Sequence, residues 1–280
     1  MVLSISRRTD IPAFFYEWLY KRLDEHKIGI YNPYNRKSRI VEIDEELDFL
    51  YFWSKEPSSL LKMKDVLKNY KFRLHYTLNN YGFEIESTLP SLETRIMVFK
   101  KLVDLYGNKL IWRYDPIFYN KKYSFNHHIN SFMYISQKLK GYTDLCYFSF
   151  IDTYKKNEQD LSRLGLVHPD EENKLMKSLF EIGKTYGIKL YSCCETIDPK
   201  TGIESGSCID PELMIENGIS GCNILSGQGT RKLCRCAKSY DVGLYNTCIT
   251  GCKYCYASNQ CSPDLNLLKK HNPKTPLIFS

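Results

Sequence analysis

The sequence lacks the features that would place it in a membrane or in several common catalytic classes. No apolar run approaches the roughly 18 residues that a spanning helix needs, and the opening Met1-Val2-Leu3-Ser4-Ile5-Ser6-Arg7-Arg8 has no secretory h-region. A cytoplasmic protein with no membrane partner is therefore expected. No glycine loop suited to cradling phosphate and no dinucleotide glycine fingerprint occurs. No Ser-His-Asp arrangement or His-x3-His pair competes for chemistry. Zinc-finger, RNA-binding and basic-helix motifs are also missing. The charge excess is only +7 and is spread along the chain, so a solvated basic surface is the plain reading; nucleic acid is permitted as a partner but not demanded. Cysteine is almost absent from the first 192 residues, where Cys146 stands alone in an apolar strand pattern and reads as core.

What is present describes a globular chain. Its 280 residues, 43% hydrophobic and 25% charged, suffice for one large core. Short β-rich runs alternate with amphipathic stretches. Strands are expected at Val2–Ser6, Phe49–Trp53, Phe72–Thr77, Leu110–Tyr114, Leu145–Ile151, Lys189–Cys193 and Val242–Asn246. Between them, Phe14, Phe15, Trp18, Leu19 and Leu23 share one helical face, as do Leu92, Ile96, Phe99, Leu102, Val103 and Tyr106, stopped by Gly107. A third face runs Leu175, Met176, Leu179, Phe180 and Ile182, opened by Asp170, Glu171 and Glu172 and closed near Gly187. The segment Ile28–Ile43 reads as an inserted hairpin, His75 as a core histidine, and His127-His128 as a helix start.

Repeated strand–helix units imply a parallel sheet, and so many without a dinucleotide fingerprint favour a TIM-type (β/α) barrel. Polar residues recur just after the strands: Arg7, Arg8, Thr9 and Asp10, then Lys55 and Glu56, Asn79, Asp115, Asp152 and Glu195. In a parallel sheet these share one rim. Each also has a plain reading as a cap or salt bridge.

The other ten cysteines fall between Cys193 and Cys261, and the odd total of eleven argues against a complete disulfide framework. Clustering of this kind points to metal or cluster ligation. Cys248, Cys252 and Cys255 form a Cys-x3-Cys-x2-Cys triad on one short loop. Three thiolates so spaced can hold three irons of a [4Fe–4S] cluster and leave the fourth iron open for a ligand. Zinc is the alternative, although zinc sites favour Cys-x2-Cys pairs. A fully ligated electron carrier would need a fourth cysteine such as Cys261. A second set, strongest in Cys193, Cys208, Cys234 and Cys236, suits an auxiliary [4Fe–4S] cluster, a zinc ion or ordinary thiols; Cys194, Cys222 and Cys261 could substitute within it.

The triad, with Tyr254 directly before its last cysteine, resembles the radical S-adenosylmethionine (SAM) enzymes. The resemblance implies SAM on the open iron, reductive cleavage to a 5′-deoxyadenosyl radical, Tyr254 near the adenine, and an external electron donor such as flavodoxin or ferredoxin. In that family the cluster loop follows the first barrel strand, whereas here it follows the last. A circularly permuted partial barrel reconciles the two: the final strand would lie beside Val2–Ser6 and return the loop to the rim. Residues 1–192 would supply barrel strands and helices, 193–240 a cysteine-rich metal or cluster region, 241–262 the last strand and loop, and 263–280 a tail, all within one structural domain.

Four phrases together, Leu3-Ser4-Ile5-Ser6-Arg7-Arg8-Thr9-Asp10-Ile11-Pro12, Phe52-Trp53-Ser54-Lys55-Glu56-Pro57, Arg113-Tyr114-Asp115-Pro116 and Asp241-Val242-Gly243-Leu244-Tyr245-Asn246-Thr247-Cys248, resemble the bacterial domain-of-unknown-function 1848 family over nearly the whole chain. Lys55 and the Arg113-x-Asp115-Pro116 phrase are also loosely similar to the spore photoproduct lyase branch, which acts on DNA. On this reading Arg7, Arg8 and Asp10 hold the SAM methionine moiety or the substrate, and Lys55 adds a polar contact. Arg113 pairs with a carboxylate or phosphate, and Asp115 orients Arg113 or accepts from a ribose hydroxyl. The competing reading is a zinc-stabilised, non-catalytic nucleic-acid-binding protein.

Overall fold

The computed structural model describes residues 1–219, 231, 233–259 and 263–279. Among them the strands are β1 Val2–Ile5, β2 Lys27–Asn32, β3 Lys37–Glu42, β4 Phe49–Ser54, β5 Lys71–Thr77, β6 Leu110–Ile117, β7 Leu145–Phe150, β8 Lys189–Ser192, β9 Glu204–Ser205 and β10 Tyr240–Asp241. The helices are α1 Ile11–Phe14, α2 Tyr16–Asp24, α3 Lys64–Leu67, α4 Leu92–Tyr106, α5 Phe125–Leu139, α6 Glu158–Arg163, α7 Glu172–Tyr186, α8 Pro211–Glu216 and α9 Asn266–Lys270.

Eight strands form one parallel sheet in the order β10-β1-β4-β5-β6-β7-β8-β9, and β2 and β3 form a separate antiparallel hairpin. The sheet does not close: β10 and β9 are its two edges, so the chain forms a partial and not a complete barrel. The last strand lies beside the first, Leu3 opposite Tyr240 and Ser4 opposite Asp241, as a permuted order requires. One expectation is corrected here. The last strand is Tyr240–Asp241, extended only by the Val242 amide donating to Ser4 O at 3.0 Å. The Gly243–Asn246 stretch turns instead, with Asn246 at φ 63°.

Alternation along the strands divides the molecule. Leu50, Phe52, Leu74, Trp112 and Phe148 face the helices, packing against Trp18, Phe99, Phe132 and Leu179. Tyr51, Ile111 and Tyr147 face the other way, into a second cluster with Cys193, Cys208, Ile209, Met214 and Cys236. The cysteine-rich segment therefore covers the face that the helices leave bare.

Local chemistry sets the element ends. Ser91 and Ser124 cap α4 and α5 through hydroxyls that accept from the amides of Thr94 and His127. Gly187 closes α7 in the left-handed region at φ 73°. The tail is anchored: Trp18 Nε1 donates to Thr275 O at 2.8 Å, and the Gly29 amide donates to Pro276 O at 2.8 Å. No helix among the described residues is long and apolar enough to cross a membrane.

Candidate functional site

The loop after β10 is fastened from several sides. Thr9 Oγ1 contacts Thr247 Oγ1 at 2.6 Å and donates to Leu244 O at 3.0 Å, while Thr88 Oγ1 donates to Thr250 O at 2.8 Å. The Lys253 amide donates to Ile85 O at 3.0 Å. Gly251, at φ 69°, has no room for a side chain, which would meet Ser87 and Pro263. Held this way, the loop lies against the segments that follow β1, β4 and β5, with Cys248 beside Asp10, Cys252 bridged to Glu86, and Lys55 near Cys252 and Cys255. Backbone amides already point at two of the sulfurs: that of Asp10 donates to Cys248 Sγ at 3.4 Å, and that of Ala257 to Cys255 Sγ at 3.3 Å. Burial pushes the Cys248 thiol up to about 11, with Asp10 and Cys255 adding to the effect. Burial also raises Cys252, and the neighbouring Cys255 and Cys248 oppose its ionisation further. Cys248 and Cys252, whose ionisation is opposed by burial and by the neighbouring Cys255, suit a cationic partner. The residues therefore fit a thiolate-bound iron–sulfur cluster.

A charged core stands behind the loop. Glu86 is 2% exposed and meets Lys55 Nζ at 2.8 Å and Arg95 Nη1 at 3.6 Å; the Tyr254 hydroxyl donates to it as well. Burial works to raise the Glu86 carboxyl, but Lys55 and Arg95 overcome it and hold it below its ordinary range. Lys55 also sits 5.4 Å from the Tyr254 ring centroid. Asp10 caps α1 and accepts from Ser54 Oγ at 2.6 Å and the Lys55 amide at 2.8 Å; burial raises its carboxyl to about 6. Arg7 pairs with Asp241 at 3.6 Å beneath Trp53. Arg8 lies over Tyr245 at 4.9 Å and donates to Gly243 O at 3.3 Å.

The second set of thiols lies against the sheet face. Cys193 Sγ is 3.0 Å from Cys208 Sγ and 4.0 Å from Cys194 Sγ. Cys236 neighbours Cys208, Cys234 neighbours Cys236, and Cys194 neighbours Cys234, completing a ring of five. Arg113 Nη1 donates to Cys208 Sγ at 2.9 Å while Nη2 meets Asp115 at 2.8 Å. Among the described residues no three His, Cys, Asp or Glu side chains are grouped so as to hold a single metal ion.

The model of one protein family, the domain of unknown function DUF1848, matches residues 2–257. The chain belongs to the DUF1848 family. Comparison with curated proteins finds no match. In this DUF1848 chain the rim residues named from sequence separate into two neighbouring groups. Arg8, Asp10, Lys55 and Tyr254 border the triad loop, and Arg113 and Asp115 border the thiol ring. Arg7 stands between them, since burial weakens its charge while Asp241, Tyr256, Cys236 and Cys208 all favour it. Cys222 and Cys261 lie outside the described residues.

Sequence reasoning missed Glu86, Arg95 and Arg231. Glu86 sits in a polar stretch after β5 with no motif around it. Arg231 joins Asp152 at 2.7 Å to Glu195 at 3.1 Å, and only the recurrence of acids after the strands hinted at a shared cation. A cavity of about 750 Å³ opens at the other end of the strands, beside Phe49, Lys71, Phe72 and Lys109, and contains no cysteine.

Proposed function

We propose that this chain is a radical SAM-type iron–sulfur enzyme whose Cys248, Cys252 and Cys255 hold a [4Fe–4S] cluster. The observation that carries the reading is the triad itself: three thiols on one loop at the C-terminal edge of a parallel sheet, Cys252 buried and Cys248 and Cys255 half-buried, with backbone amides aimed at two of their sulfurs. When bound, such a cluster together with SAM supplies a 5′-deoxyadenosyl radical after one-electron reduction by a donor such as flavodoxin or ferredoxin. The chain's own residues bind, orient and shield. Lys55 and Arg95 neutralise Glu86, which anchors the Tyr254 ring against the loop through its hydroxyl. Asp10 fixes Lys55 through the backbone and turns an amide toward Cys248. Arg7 and Arg8 offer positive charge to a carboxylate or phosphate, and Arg113 does so further along the sheet. The substrate class remains open to acidic molecules, nucleic acid among them.

The test is anaerobic reconstitution with iron and sulfide, then incubation with SAM and a strong reductant. Brown protein and release of 5′-deoxyadenosine are expected, and Cys252→Ala should lose both. A colourless protein that holds only zinc and binds DNA with a steep salt dependence would overturn the reading in favour of the non-catalytic alternative.

A further inference from the structure

We propose that Cys193, Cys194, Cys208, Cys234 and Cys236 form a second thiolate-bound metal centre, built independently of the loop triad. The three chain stretches that supply them are fastened together and to the sheet. Ser207 Oγ donates to Arg235 O at 3.1 Å, the Ala237 amide to Ile209 O at 2.9 Å, and the Asp210 amide to Tyr51 Oη at 3.3 Å. His75 Nε2 bonds Cys208 O at 2.7 Å, and Gly206 is pressed so closely on Tyr147 and Tyr191 that a side chain there would strike the Tyr147 ring and the Tyr191 β-carbon. Such bracing aims the sulfurs at one another from separate segments, which ordinary core packing of thiols does not require.

The surroundings suit thiolates. The Arg113 nitrogen that Asp115 leaves unused ends on Cys208 sulfur inside the core, and Arg231 Nη1 donates to Cys193 O at 3.1 Å. A guanidinium pointed at a neutral thiol has a weak partner, whereas a metal-bound thiolate gives it an anion. Cys194 holds φ 65°, a conformation that non-glycine residues seldom keep without a bonding reason. Four thiolates around one zinc ion stand about 3.8 Å apart, given a metal–sulfur bond of about 2.3 Å; the sulfur spacings of 3.0 and 4.0 Å straddle that value. No three sulfurs yet face a single point. One change of cysteine rotamer moves a sulfur by roughly 3 Å, on the order of the sulfur spacings already present. The shared chemistry is a soft metal held by thiolates, either zinc or the irons of a cluster.

The full chain is loaded anaerobically with ferrous iron and sulfide in one arm and zinc in the other. The variant carrying Cys248→Ala, Cys252→Ala and Cys255→Ala should still bind metal in one arm. The variant carrying Cys208→Ala and Cys236→Ala should lose that portion and keep what the triad holds. Iron with equimolar sulfide identifies a cluster, zinc a single ion, and either supports the proposal. Because ring variants can fail to fold, the unaltered protein is also alkylated and mapped by mass spectrometry. The ring cysteines should resist alkylation when loaded and react after chelation. Equal reactivity before and after chelation, or a triad variant that binds no metal in either arm, would overturn the second centre. Loss of SAM cleavage in a protein whose ring remains protected would instead strike only the proposed function.

Discussion

At Glu86 a carboxylate with 2% exposure holds Lys55 and Arg95 together behind the cysteine loop. Replacing it by Gln removes the anion that balances the buried Arg95 and the half-buried Lys55, so Glu86→Gln should lower stability by about 3–5 kcal/mol, measured as a shift in urea midpoint. His128 governs a separate pH effect. It is fully buried, with Nδ1 2.9 Å from the Tyr114 hydroxyl and Nε2 2.8 Å from Phe118 O. Burial depresses it from 6.5 to about 4, so between those pH values the unfolded chain binds the proton that the folded chain refuses. Stability should accordingly be intact above pH 6.5 and fall as pH drops toward 4, by on the order of 3 kcal/mol from this group. Denaturation series at several pH values should show this slope, and His128→Gln should reduce it, while His75, depressed by burial to about 4 in the same way, keeps a share of it. The cysteine triad was legible at this scale because its spacing is written locally. Glu86 was not, because its partners come from α4 and from the segments after β4 and β10.

Among the elements, β10 does more than its two residues suggest. Its Asp241 accepts from Ser4 Oγ at 2.9 Å, Ser6 Oγ at 2.5 Å and the Arg7 amide at 2.9 Å, tying the final strand to the first. Gly243 follows in so tight a space that a side chain would collide with Ser6 and press on Thr9. Gly243→Ala should therefore push the loop away from β1 and cost about 1–3 kcal/mol. Iron bound at the triad should fall with it, read by iron analysis; unchanged iron would mean that the join does not position the loop. Most strand runs were legible because hydrophobic blocks of β-formers end at turn residues. The final strand was placed too late because Val242–Asn246 has the right residues, while pairing with β1 is decided by Asp241.

At the scale of the whole molecule, the described tail closes the structure over its first helices. Phe279 packs on Phe15 at 5.6 Å between ring centroids, and Ile278 is 1% exposed. Deleting residues 272–280 strips the partners from Trp18 Nε1 and the Gly29 amide. The deletion should lower the midpoint of thermal unfolding by several degrees, in keeping with a loss of about 1–2 kcal/mol. Iron uptake at the triad, on the other side of the first strand, should persist. Loss of both together would show that tail and loop unfold as one unit.

Read alone, the residues determined the α/β class, the parallel sheet, the last strand's place beside the first, and the close spacing of the loop cysteines. Those features rest on short-range patterns: hydrophobic period, caps, and thiol spacing within one turn. Tertiary structure decided that the sheet stays open, that the cysteine-rich segment covers its bare face, and that five thiols from three stretches meet in one ring. It also decided that Glu86, with no motif to mark it, balances the cations behind the loop. Such outcomes depend on contacts between residues tens to hundreds of positions apart, where burial and charge pairing act through space and leave no periodic trace along the chain.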